Sequence, residues 1–253
     1  MQTHRNWGHV LMIEWRQLWS RQTAIVYLGA CLLFYTAVTL LMEHVIVGAQ
    51  KGWVADVQRN LWLRNWMLLP LGYIWLGIQS FVADRKQGFM AASIISGTSR
   101  SQLLVGKVIA LLGVSALSLL LCLWPSLFYA SHDNSSDTLI GLILTILSDV
   151  VLIGWIALFS LSRTSNNQTL LRMVMLICFD FVIRLLLWGL PSLFNSPVLS
   201  WLGDNAPLFL PSTALNGWMY WEEAWHISTL GISVGYAMLL WGVVWYQWKR
   251  LVF

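Results

Sequence analysis

Long apolar runs constrain this chain more than anything else in it. Six of them, at 23–42, 66–83, 103–129, 139–161, 170–190 and 227–248, are each close to the length of helix that crosses about 30 Å of hydrocarbon. Backbone polar groups inside a bilayer must be satisfied within the segment itself. The runs therefore predict an all-α membrane protein with six transmembrane helices. Composition agrees: 58% of the 253 residues are hydrophobic and 10% are charged, with a mean hydropathy of +0.66. A soluble domain carries about a quarter charged residues. The first run begins at Thr23 with no small-residue cleavage site, so it reads as a retained span.

Charge in the connecting segments sets the orientation. Arg5, Arg16 and Arg21 precede the first span, and Arg85, Lys86, Arg100 and Lys107 lie between the second and third or at the start of the third. Arg163 and Arg172 follow the fourth span, and Lys249 and Arg250 close the chain. All of these fall on one side, whereas Lys51, Arg59 and Arg64 fall on the other. Loops rich in Lys and Arg stay cytoplasmic, so both termini are expected inside. The same asymmetry explains the net charge of +4 without nucleic acid as a partner.

The segments between spans have distinct characters. Residues 4–21 carry Trp7, Leu11, Trp15 and Leu18 on one helical face and Arg5, His9, Arg16 and Ser20 on the other, the pattern of an N-terminal amphipathic interfacial helix. Outside, 130–137 is a short polar turn, and 43–65 reads as a surface helix. Residues 191–226 are apolar but broken by Pro191, Pro197, Pro207 and Pro211, which predicts re-entrant external half-helices before the last span. Most of the seventeen Trp residues lie near span ends, where an amphipathic ring favours the interface.

One inside segment stands apart. From Phe81 to Lys107 the chain is basic and partly amphipathic, and Gly88 and Gly97 bracket a short helix-like piece, Phe89 to Ser96. Such a piece can lie along the membrane surface and offer a face to a soluble partner. In order, Phe81, Asp84, Arg85, Gly88, Ile94, Ile95, Ser99, Arg100, Leu103, Leu104, Gly106 and Lys107 match a pattern between the second and third spans of type-2 permeases of ATP-binding-cassette transporters, a family this chain resembles. Asp84 stands where that family often has Glu, and Thr98 near where it often has Pro.

The resemblance implies the transmembrane subunit of an exporter in the bacterial cytoplasmic (inner) membrane. It implies that 84–102 is a cytoplasmic coupling segment meeting a separate ATPase subunit through Asp84, Arg85, Lys86, Gly88, Phe89, Ile94, Ile95 and Arg100. A second permease subunit, identical or related, completes the membrane part. ATP and Mg belong to the partner ATPase, and this chain is expected to hold no cofactor and perform no covalent chemistry.

The remaining motifs point the same way. No Gly-x-x-x-x-Gly-Lys-Ser/Thr loop occurs. His4, His9, His44, His132 and His226 are scattered, and Glu222-Glu223 with His226 lacks a second His-bearing span, so no metal site is expected. Cys31, Cys122 and Cys178 sit singly in apolar runs. Three charges lie within spans away from their inner ends: Asp149 in the fourth, and Asp180 and Arg184 four apart on one face of the fifth. Burying one costs about 2.5–3.5 kcal/mol on insertion scales, so each needs a partner. Asp180 and Arg184 read equally as a self-neutralised structural pair and as a pathway or gate. Asp149 needs water or a donor from another helix.

The largely apolar spans favour an amphipathic or hydrophobic cargo. Two other functions fit the layout. One is a secondary carrier using Asp149, Asp180 and Arg184 for ion coupling, and the other is a non-transport membrane scaffold for envelope or cofactor assembly.

Overall fold

The computed structural model describes residues 7–20, 22–45, 69–123, 135–161, 165–194, 197–198 and 227–251. They are helical, with no strand among them. We number the helices α1 (Trp7–Ser20), α2 (Thr23–Val45), α3 (Leu69–Gly77), α4 (Asp84–Lys86), α5 (Phe89–Ile95), α6 (Arg100–Leu123), α7 (Ser135–Leu161), α8 (Asn166–Phe194) and α9 (Ile227–Arg250). A π-helical stretch, Ile78–Ala83, joins α3 to α4. Each expected apolar run is helical over most of its length. Among the described residues one helix, Arg100–Leu123, is long and apolar enough to cross a membrane, and the apolar pieces Thr23–Ala37 and Asp149–Leu161 are shorter.

Two differences from expectation lie at helix ends. Residues 135–137, expected in an outer turn, begin α7, and α8 runs past Leu190 and through Pro191 to Phe194. The rest of the expected half-helix region, apart from residues 197–198, and nearly all of 43–65 lie outside the described residues.

Two helices start on reciprocal side-chain caps. Ser99 Oγ accepts from the Gln102 N–H at 3.2 Å while Gln102 Oε1 accepts from the Ser99 N–H at 3.0 Å. Ser165 and Gln168 repeat the arrangement ahead of α8, at 3.2 and 3.1 Å. Each satisfies two N–H groups that a helix start leaves without partners.

Helix α6 is the centre of the bundle. Leu103, Leu104, Ala110, Leu111, Val114 and Cys122 on it are buried, and α1, α2, α3 and α7 pack around it. The face toward α1 carries two glycines. A Cβ on Gly106 would meet Val10 at 3.2 Å and Glu14 at 3.4 Å, and one on Gly113 would meet Trp15 at 2.5 Å. Glycine at 113 lets the Trp15 ring come so near, while for a Cβ at 106 Val10 would have to give by a few tenths of an ångström. Because of this packing, the buried line of α1 is Val10, Glu14 and Leu18. The expected apolar stripe is rotated accordingly: Leu11 and Trp15 are half-buried and Trp7 is 46% exposed.

On the other side α7 holds α9. Leu240 and Trp241 lie over Gly154, and the Trp241 Nε1–H donates to the Val150 carbonyl at 3.1 Å. Large apolar side chains remain uncovered around the outside, including Val26 and Leu33 on α2, Met175 and Phe179 on α8, and Met238 and Leu239 on α9.

Candidate functional site

The segment from Phe81 to Lys107 folds into a compact connector with three parts. Backbone dihedrals stay helical across Gly77, Ala83 and Asp84, so α3, the π-helical stretch and α4 form one continuous rod. A π turn holds one residue more than an α turn. At 3.6 residues per turn, that extra residue rotates the helix beyond it by about 100°. Asp84, directly after the π stretch, is 1% exposed and faces the bundle.

The rod stops at Gly88, whose φ of +71° is a left-handed value that costs glycine nothing. Its N–H donates to the Arg85 carbonyl at 3.1 Å. Helix α5 then runs to Ile95 and closes at Gly97, where φ is +93°. There the Gly97 N–H donates to the Ile94 carbonyl and the Thr98 N–H to the Ser93 carbonyl, both at 3.0 Å. This paired pattern is a Schellman stop, and it ends α5 without the proline that the resembled pattern often has. Ser99 immediately caps α6.

The charges of the segment are engaged inside the chain. Lys107 is fully buried, and its Nζ donates to Asp84 Oδ2 at 2.5 Å and to Glu14 Oε2 at 2.9 Å. Glu14 comes from α1, Asp84 from the rod and Lys107 from α6, so one ammonium ties three elements together. Arg85 Nη1 donates to the Leu161 carbonyl at the end of α7, at 3.2 Å. Arg100 Nη1 donates to the carbonyls of Lys249 and Leu251 at the end of α9, at 2.9 and 2.7 Å. Both arginines thus sit where a helix ends in carbonyls lacking intrahelical donors and in partial negative charge.

The outward surface is different in kind. Lys86, Gln87 and Gly88 are exposed, as are Ser96, Gly97 and Ser99. Ile95 is 86% exposed at the end of α5, while Met90 anchors the opposite face at 1%. Phe89 and Ile94 are half-buried. Of the eight residues assigned to coupling, Lys86, Gly88 and Ile95 form the open surface. Asp84, Arg85 and Arg100 hold that surface to α1, α6, α7 and α9.

The charges expected within spans divide. Asp149 is 1% exposed, and the Ser115 Oγ–H of α6 donates to its Oδ2, a donor from another helix. Ser118 Oγ donates in turn to the Ser115 carbonyl at 2.8 Å. Asp180 and Arg184 lie on α8, and their side chains fall outside the described residues. Among the described residues no group of His, Cys, Asp and Glu is arranged to hold a metal.

Glu14 is the buried charge of this site that the sequence does not single out. It stands in a helix whose polar groups read as solvated, and its partner is 93 positions away. The signal that could have found it is its place on one line with Val10 and Leu18. No protein-family model matches the chain, and no curated protein matches it.

Proposed function

We propose that the chain is the membrane subunit of an exporter driven by a separate ATP-binding-cassette ATPase. In this reading it has six spans, both ends in the cytoplasm, an interfacial α1, re-entrant external half-helices and a second permease subunit as partner. The ATPase binds ATP and Mg and docks on residues 86–99. Its closure pushes α5, and the cargo is amphipathic or hydrophobic.

The observation that carries the reading is the construction of that surface. A short helix between two left-handed glycines presents an exposed isoleucine, while the residues around it are bonded to four different helices. A push on α5 therefore reaches α1, α6, α7 and α9 through short polar contacts. The uncovered apolar side chains of α2, α8 and α9 suit lipid or a second subunit, since a soluble monomer seldom exposes so many.

The test is co-purification of the tagged chain with any P-loop ATPase encoded beside it, repeated with Ile95→Asp. At 86% exposure the substitution leaves the fold intact, and ATPase binding should fall by at least about tenfold. Asp149, buried against the Ser115 hydroxyl, favours an ion-coupled carrier as the second reading. Proton- or sodium-dependent uptake without any bound ATPase would establish the carrier instead.

A further inference from the structure

Trp248 lies where the sequence predicts an interfacial anchor for α9, yet it is fully buried and touches the connector at both ends. Before α5, the Phe81 ring meets the Trp248 ring edge to face, with centroids 6.4 Å apart and planes at 86°. After α5, the Trp248 Nε1–H donates to the Arg100 carbonyl at 2.8 Å. The Arg100 guanidinium returns the contact by donating to the carbonyls of Lys249 and Leu251. Bonds therefore run in both directions between residue 100 and the last turn of α9. Such reciprocity fixes rotation as well as distance, which a single bond does not.

The last turn is shaped to accept Arg100. Lys249 and Arg250 turn their cations back over Trp245 and Tyr246, at 5.1 and 4.2 Å from the ring centroids. A cation over an aromatic face is stabilised there. The Lys249 carbonyl is thereby left to the guanidinium, at the negative end of the α9 dipole.

We propose that the carboxy-terminal turn of α9, residues 248–251, is a positioning element that sets where the exposed face of α5 is presented. It staples the two ends of the connector, Phe81 and Arg100, to one rigid helix. The same helix reaches Val150, next to Asp149, through Trp241 seven residues earlier, so α5 and the buried carboxylate are referred to one rod. The inference rests on the reading of 86–99 as the ATPase docking surface.

The experiment is hydrogen exchange on the full chain in lipid nanodiscs, without any partner, for Arg100→Gln, Arg100→Lys and Trp248→Phe. Trp248→Phe keeps a ring against Phe81 and removes only the indole donor. Arg100→Lys keeps a cation for the carbonyls. Amides of 89–99 should exchange about tenfold faster in Arg100→Gln and Trp248→Phe, and Arg100→Lys should restore most of the protection. Amides of 111–119 should not change.

Unchanged exchange in 89–99 overturns the proposal. So does an equal rise through α6, which marks general loosening rather than positioning. ATPase co-purification with the same variants reads the docking role separately. An ATPase that never binds the unaltered chain defeats the docking reading, while exchange still decides whether the turn positions α5.

Discussion

Lys107 on α6 and Glu14 on α1 meet at 2.9 Å in a site from which water is excluded, with Asp84 on the same ammonium at 2.5 Å. Two carboxylates sharing one buried cation make the cation the least replaceable member. Lys107→Met should destabilise the protein by about 3–5 kcal/mol, because it leaves both carboxylates buried without their counter-charge. Glu14→Gln should cost clearly less, since the amide oxygen still accepts from Lys107 and the Lys107–Asp84 pair remains. Thermal unfolding of the purified protein in detergent measures both. Equal losses for the two variants would refute the cation's being the least replaceable member.

The glycines at the two turns can be separated from their surroundings. A Cβ on Gly88 or Gly97 would find nothing within 4 Å, so the cost of alanine there is set by the backbone alone, at φ of +71° and +93°. Each alanine should destabilise α5 by about 1–2 kcal/mol. Asparagine, which tolerates the left-handed region, should cost less. Limited proteolysis between Lys86 and Arg100 would register the difference as faster cleavage. No change with alanine would show that the turns adapt.

How much of this was legible in the sequence differs from element to element. The helices were, because runs of apolar residues with α-helical length leave the backbone few alternatives. The short α5 was also legible, since Gly88 and Gly97 mark its ends. Long-range polar pairing was not: nothing near Glu14 announces Lys107, and nothing near Trp248 announces Arg100. Arg85 and Arg100 look like ordinary inside charges, and the structure uses both at the carbonyl ends of other helices. The π turn that aims Asp84 inward has no local signature in Ile78–Ala83. Ser99-x-x-Gln102 and Ser165-x-x-Gln168 are a different case, since the capping pattern is visible in the letters and gives the two helix starts.

The proposed topology makes opposite demands on two serines. Ser165, exposed ahead of α8, belongs to the cytoplasmic side, and Ser135, the first residue of α7, belongs to the external side. In a background with Cys31, Cys122 and Cys178 replaced, Cys at 135 should react with an impermeant maleimide added to whole cells or spheroplasts. Cys at 165 should react only after the membrane is opened. The reverse labelling would invert the orientation and place α5 outside, away from any ATPase.

Asp180 and Arg184, expected within a fifth span, test pathway against packing. Thr169 and Met173 are the fully buried residues among those described on α8, and Leu170, Leu171, Val174, Met175, Cys178, Phe179, Val182 and Leu186 are exposed. At about 100° per residue, positions 169, 173, 180 and 184 fall within a narrow arc of the helix. Asp180 and Arg184 stand four positions apart on α8. A charge within a span needs a partner, and four-residue spacing offers one. If the pair is structural, Asp180→Asn or Arg184→Gln alone should lower the amount of protein in the membrane, and the exchanged pair D180R/R184D should restore it together with transport. If the pair belongs to the pathway, the single variants should reach normal levels and lose cargo-stimulated ATP hydrolysis, and the exchange should not bring it back. An apolar pathway with one neutralised pair favours amphiphiles. Hydrolysis stimulated by small inorganic ions and indifferent to amphiphiles would refute that cargo class.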